Sequence, residues 1–99
     1  MPWGYRAMFV LLHTYRVRHG CRTLREMISR YAPPMENHTE NYIRAVAAGA
    51  QVSPDEPLDT KSGERMIPVV AAMSRVETGT PARMDEVRAG WDLFTKYPV

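Results

Sequence analysis

Thr23-Leu24-Arg25-Glu26-Met27-Ile28-Ser29-Arg30-Tyr31-Ala32-Pro33-Pro34 holds a helix start, an apolar stripe and a stop in one short stretch. Thr23 and Glu26 stand three residues apart, the spacing at which each side chain satisfies the other's free backbone N–H. Leu24, Met27, Ile28 and Tyr31 then recur at i, i+3, i+4 and i+7, one face of a helix. Pro33-Pro34 ends the element, because proline lacks the N–H and pushes the preceding residue out of the helical region.

The same periodicity extends in both directions. Upstream, Tyr5, Met8, Leu12 and Tyr15 keep helical spacing, and Phe9, Val10 and Leu11 widen the stripe enough to place this helix centrally; Gly20 stops it. Downstream, Asn37 with Glu40 is a second cap-like pair, and Ile43, Val46, Ala47 and Ala50 form the stripe of a third helix. Ser53-Pro54-Asp55-Glu56-Pro57 reads as a capped turn inside a loop that runs to about Ser62. Met66, Val69, Val70, Met73 and Val76 mark a fourth helix ending at Gly79. Pro68 favours a start near Met66, which leaves the proline in the first turn, where it is tolerated. Met84, Val87, Trp91 and Phe94 mark a last short helix. No strand-like alternation of useful length occurs. The expected architecture is all-α, about five short helices around one core, in a single domain over residues 1–99.

Composition bounds the function. Ninety-nine residues with 44% hydrophobic and 24% charged side chains are ordinary for a globular domain and exclude a disordered tail or a disulfide scaffold. The net charge of +2 is too small to demand nucleic acid or a membrane. It is unevenly spread: residues 1–34 carry +5, residues 35–64 carry −4 and residues 65–99 carry +1. The longest apolar run, Ala7–Leu12, is far short of the roughly 20 residues of a membrane span. Neither a signal peptide nor a membrane partner is expected, which points to synthesis in a cytoplasm. Cys21 is alone, so no internal disulfide forms, and beside His19 it makes only half a zinc site. His13 and His38 lack companions at metal spacing, and no glycine-rich phosphate loop is present, so no metal or cofactor is expected. Seven methionines, most of them on the stripes, are core filler.

The densest polar stretch lies at the start of the third helix. Glu36, Asn37 and Thr39 offer hydrogen-bonding groups and Tyr42 a flat ring, on a loop pre-ordered by two prolines; together they could bind a polyhydroxylated ligand. The plain alternative is a rigid loop whose Asn37 caps a helix and whose tyrosine packs inward. Glu77 stands in the last turn of the fourth helix, where the macrodipole disfavours a carboxylate. Glu36 and Glu77 are therefore the two candidate catalytic carboxylates, one on either side of a glycosidic bond. The plain reading of Glu77 is a surface residue paired with Arg75 or Arg83. Trp91, in register with Val87 and Phe94, is read as core rather than as a sugar platform. Asn37-His38-Thr39 also matches an N-glycosylation sequon, a match common by chance.

Several blocks together resemble a known family. They are Gly4-Tyr5-Arg6-Ala7, Leu11-Leu12-His13-Thr14-Tyr15, the Thr23–Pro34 stretch and Glu36-Asn37-His38-Thr39-Glu40-Asn41-Tyr42-Ile43, with shorter matches at Pro57-Leu58-Asp59 and Glu77-Thr78-Gly79. They look like the C-terminal helical part of a phage and prophage virion structural protein, whose members are similar in plan to small lysozyme-like, peptidoglycan-active domains. The resemblance implies the helical lobe of a lysozyme-like fold and places Glu36, Asn37, Thr39 and Tyr42 on the side of a ligand groove. Relatives carry an asparagine-rich segment upstream of the Gly-Tyr-Arg-Ala block that this sequence lacks. The resemblance therefore implies a shortened module, inactive as an isolated chain.

Four functions follow as expectations. The first is a virion-associated module whose partners are peptidoglycan glycan strands or other virion proteins. The second is an active glycan hydrolase, a muramidase or lytic transglycosylase. The third, a helical DNA-binding module, is disfavoured by the long Ala32–Asn37 connection and by Glu40 at the head of the would-be recognition helix. The fourth is a plain packing protein of a virion, or a remnant, with no ligand: without the upstream segment, apolar surface on the first helix would be exposed, a route to a homodimer or to marginal stability.

Overall fold

A computed structural model of the chain describes residues 2–31 and 38–97. Five helices follow one another: α1 (Pro2–His19), α2 (Leu24–Tyr31), α3 (His38–Ala50), α4 (Gly63–Thr78) and α5 (Met84–Lys96). No strand occurs among the described residues, and the fold is all-α. α1 lies along α5, and α3 lies along α4. α2, packed on α3 and α1, and α4, packed on α5 and α1, join the two pairs into one core. Phe9, Leu12, Leu24, Met27, Ile28, Val46, Met66, Val69, Met73 and Val87 are fully buried.

Local chemistry accounts for the element ends. At the head of α2 the Thr23 hydroxyl accepts the Glu26 N–H at 3.2 Å, and Glu26 Oε1 accepts the backbone N–H groups of Arg22 and Thr23 at 3.0 and 3.2 Å. The capping box thus forms as the sequence predicts. α1 ends at Gly20, whose φ of 66° is left-handed, so the backbone can turn back and the Cys21 N–H can reach the Tyr15 carbonyl at 3.0 Å. The 51–62 loop runs across the start of α2 as a strap. The Arg25 N–H bonds Pro54 O at 2.9 Å, the Leu58 N–H bonds Arg22 O at 2.8 Å, and Thr23 and Pro57 form an isolated antiparallel bridge. The Arg25 guanidinium holds the strap at Asp55 (2.7 Å) and reaches α3 at Glu40 (2.6 Å).

Gly90 lets α1 and α5 approach closely. A Cβ there would stand 2.6 Å from Tyr5 Cβ and 2.8 Å from the Pro2 carbonyl oxygen. Beside it Phe9 meets the Trp91 ring edge-on at 5.0 Å between centroids and stacks on Phe94 at 6.2 Å.

Four expectations are corrected. α4 begins at Gly63, not near Met66, so Pro68 lies inside the helix rather than in its first turn. The early start follows from packing. Gly63 has no side chain and slots beneath Trp91, and the Met66 N–H bonds Ser62 O at 2.8 Å, which brings Met66 into the core. α1 is less central than its wide stripe suggests: it buries only Phe9 and Leu12, and Val17 is exposed. Val76 and Met84, assigned to core stripes, are both partly exposed at the edge of a shallow groove between α3 and α4. Trp91 is half-buried against the core rather than enclosed by it.

Candidate functional site

The polar side chains gather where α2 ends and α4 ends. Tyr31 is the last residue of α2, and its phenol donates to Glu77 Oε1 at 2.6 Å. Glu77 lies one turn beyond Ser74 on α4, so both face the same side. Tyr42, in the second turn of α3, sets its ring beside Tyr31 at 6.3 Å between centroids and 59° between planes. α1 contributes Tyr5, whose hydroxyl stands 3.3 Å from Ser74 Oγ. Arg30 covers the ring of Tyr15 at 5.8 Å. Four helices thus bring three tyrosines, a serine and a carboxylate to one end of the bundle.

The electrostatics follow from this crowding. Burial raises the Tyr31 phenol to about 12, helped by the hydrogen bond to the Glu77 carboxylate and by its charge. Burial raises the Tyr42 phenol as well, with the Glu77 charge as the second cause. Both hydroxyls stay protonated donors across the physiological range. The Tyr42 hydroxyl is enclosed and has no hydrogen-bond partner among the described residues. An unsatisfied buried donor is costly, and such a group in a native protein calls for an explanation.

The predicted site residues divide. Tyr42 and Glu77 come together, a pairing that spacing did not suggest. Glu77 bonds Tyr31 instead of Arg75 or Arg83, and Arg83 turns to Asp85 (3.3 Å) and Glu86 (3.5 Å). Thr39 is buried at the head of α3, which takes it off an open wall. Glu36 and Asn37 lie outside the described residues, as does the Asn37 cap. Tyr31, Tyr5 and Ser74 were missed as site residues: Tyr31 and Tyr5 read as stripe residues, and Ser74 gave no signal. The hydroxyl of a tyrosine on a stripe is the one available clue, since a buried phenol needs a partner.

Two further polar arrangements serve the fold. His13 Nδ1 is hydrogen-bonded to the buried Thr60 hydroxyl at 2.7 Å, which pins the end of the strap to α1. Cys21 is buried, with its thiol 3.9 Å from the His19 carbonyl, as a small packing residue would be. No group of three metal-ligating side chains occurs among the described residues, and no helix is long and apolar enough to cross a membrane.

An all-α bundle with a tyrosine-rich, carboxylate-bearing end is the class of molecule defined so far. Over 91 residues the chain is 36% identical to Protein P5 of Pseudoalteromonas phage PM2. The match takes in 90% of this chain and 54% of that protein, so the chain spans about half the length of the curated relative it matches. The similarity is to a phage protein, which supports the phage part of the resemblance seen in the sequence. No protein-family model matches the chain.

Proposed function

We propose that this chain is a phage structural module that contacts peptidoglycan glycan strands through the end formed by Tyr31, Tyr42 and Glu77. The observation that carries the reading is the exposed Glu77 carboxylate, which accepts the Tyr31 phenol at 2.6 Å beside the paired rings of Tyr31 and Tyr42. Sugars present flat C–H faces and rings of hydroxyls. Aromatic faces receive the former, and a carboxylate with phenolic donors receives the latter. The likeness to a phage protein supports a virion setting, in which the cell wall is a surface to be met.

Contact is favoured over cleavage. A carboxylic acid that protonates a leaving sugar near neutral pH sits in a water-poor, apolar pocket, whereas Glu77 is exposed. Titration with soluble muropeptides, followed by amide NMR, tests the proposal. The signals of Tyr31, Thr39–Tyr42 and Glu77 should move together, and Tyr31→Phe and Glu77→Gln should each weaken the response. If these amides stay still while others shift, the contact lies elsewhere and the reading fails.

A further inference from the structure

The arginines of the first third of the chain have no part in the contact proposed above. Arg25 is engaged by Asp55 and Glu40. Arg16, Arg18, Arg22 and Arg30 make no ion pair among the described residues. They gather around the C-terminal end of α1 and the head of α2. Tyr15, Arg18 and His19 stand at i, i+3 and i+4 and share one face of α1. The Arg30 guanidinium lies over the Tyr15 ring at 5.8 Å, and the His19 ring stands 6.2 Å from that of Tyr15. Arg22 follows the Gly20 turn that returns the Cys21 N–H to Tyr15 O. Arg16 and Lys61 are on the adjoining side, where the charges of both act on His13. Two carboxylates oppose them. Glu26 already accepts the backbone N–H groups of Arg22 and Thr23, and Asp59 accepts that of Lys61 at 2.9 Å. The net charge of the chain is only +2, but its cations are concentrated here. Cations suit a helix C-terminus, yet the macrodipole there amounts to about half a charge, less than one arginine neutralises.

We infer that this surface binds single-stranded nucleic acid. Arg16, Arg18 and Arg22 meet phosphates as planar, permanently charged forks. Arg30 is exposed, so the side of its guanidinium away from Tyr15 is open to a base, which lengthens the stack by one layer. Charge alone would also suit an anionic lipid surface, but such a surface is gripped by apolar side chains beside the basic ones. Val17, 65% exposed, is two positions from Tyr15 and therefore roughly 200° round the helix, away from this face. The surface also needs no recognition helix, so the long Ala32–Asn37 connection and Glu40 do not count against it.

Fluorescence anisotropy of the full chain with a fluorescein-labelled oligothymidylate of about 20 nucleotides tests the inference, independently of any muropeptide result. With three or four phosphates engaged, log K should fall against log salt with a slope of about −2 to −3. Arg18→Gln should flatten the slope by about 0.7 and weaken binding severalfold at low salt. Arg30→Lys keeps the charge and loses the plane, so the slope should stay while affinity falls about tenfold. Arg88→Gln removes the same charge from an exposed position on α5 and should leave the slope unchanged. Three results would overturn the inference: no binding at low salt, an Arg88→Gln loss as large as that of Arg18→Gln, or binding to phosphatidylglycerol vesicles without binding to the oligonucleotide. Full affinity in Arg30→Lys would remove the stacked base.

Discussion

α1 faces two very different neighbourhoods. Along the seam with α5, Phe9, Trp91 and Phe94 pack ring against ring over Gly90. At the end shared with α2, α3 and α4, Tyr5, Tyr31 and Tyr42 present hydroxyls, one loosely engaged and one without a partner among the described residues. The seam is closed and apolar, so its contribution is dispersion and water exclusion. The tyrosine end is polar and incompletely paired, which suits recognition better than stability. The lesson is that one helix serves both roles by turning different stripes to different partners.

The strongest way to break this division is Phe9→Ala. Removing a fully buried ring from the seam should lower stability by about 3–5 kcal/mol, read from urea midpoints. A loss under about 1 kcal/mol would show that the seam is not the stabilising half. Gly90→Ala comes next. The nearest atoms include backbone, so the helices must separate, at a cost of about 1–3 kcal/mol by the same measurement. No loss would mean that the close approach is dispensable.

The seam also has a titratable edge. His13 packs against Phe94 at 5.7 Å, and its pKa is lowered from 6.5 chiefly by burial, then by Lys61 and Arg16, with Asp59 opposing. A depressed histidine binds its proton later in the fold than in the unfolded chain. Stability is then full above about 6.5 and declines as pH falls below it. Melting temperature should drop between about pH 7.5 and 5. His13→Gln should flatten that slope, and an unchanged slope would remove His13 as its cause. The smallest effect is expected at the other end. Tyr42→Phe deletes an enclosed hydroxyl that has no partner among the described residues, so stability should hold or rise by up to about 1 kcal/mol. A clear destabilisation would mean that the hydroxyl is already engaged.

Much of the fold was legible because its signals are local. The Thr23–Glu26 box, Gly20 and the stripes of α2 and α3 need only neighbouring residues to be read. The start of α4 was misplaced because Gly63 is there to fit under Trp91, which is distant in sequence and invisible to periodicity. Of the site, Tyr42 and Glu77 were picked out singly, by a polar cluster and by a carboxylate at an unfavourable helix end. Their meeting was not legible, since Tyr31 and Glu77 lie 46 residues apart and a tyrosine on an apolar stripe reads as core. Arg83 was a reasonable partner for Glu77 by charge, but two closer acids claim it.

The strap over α2 has a consequence for how the molecule opens. α2 has eight residues, too few for an isolated helix to persist in water. Its start is fastened to Pro54 and Leu58 by backbone bonds, with Thr23 opposite Pro57, and to Asp55 through Arg25. Opening the strap takes these bonds away from α2, so amide protons at the start of α2 and in the strap should exchange with solvent in a single concerted event, and cutting the polypeptide within the strap should loosen α2 as well.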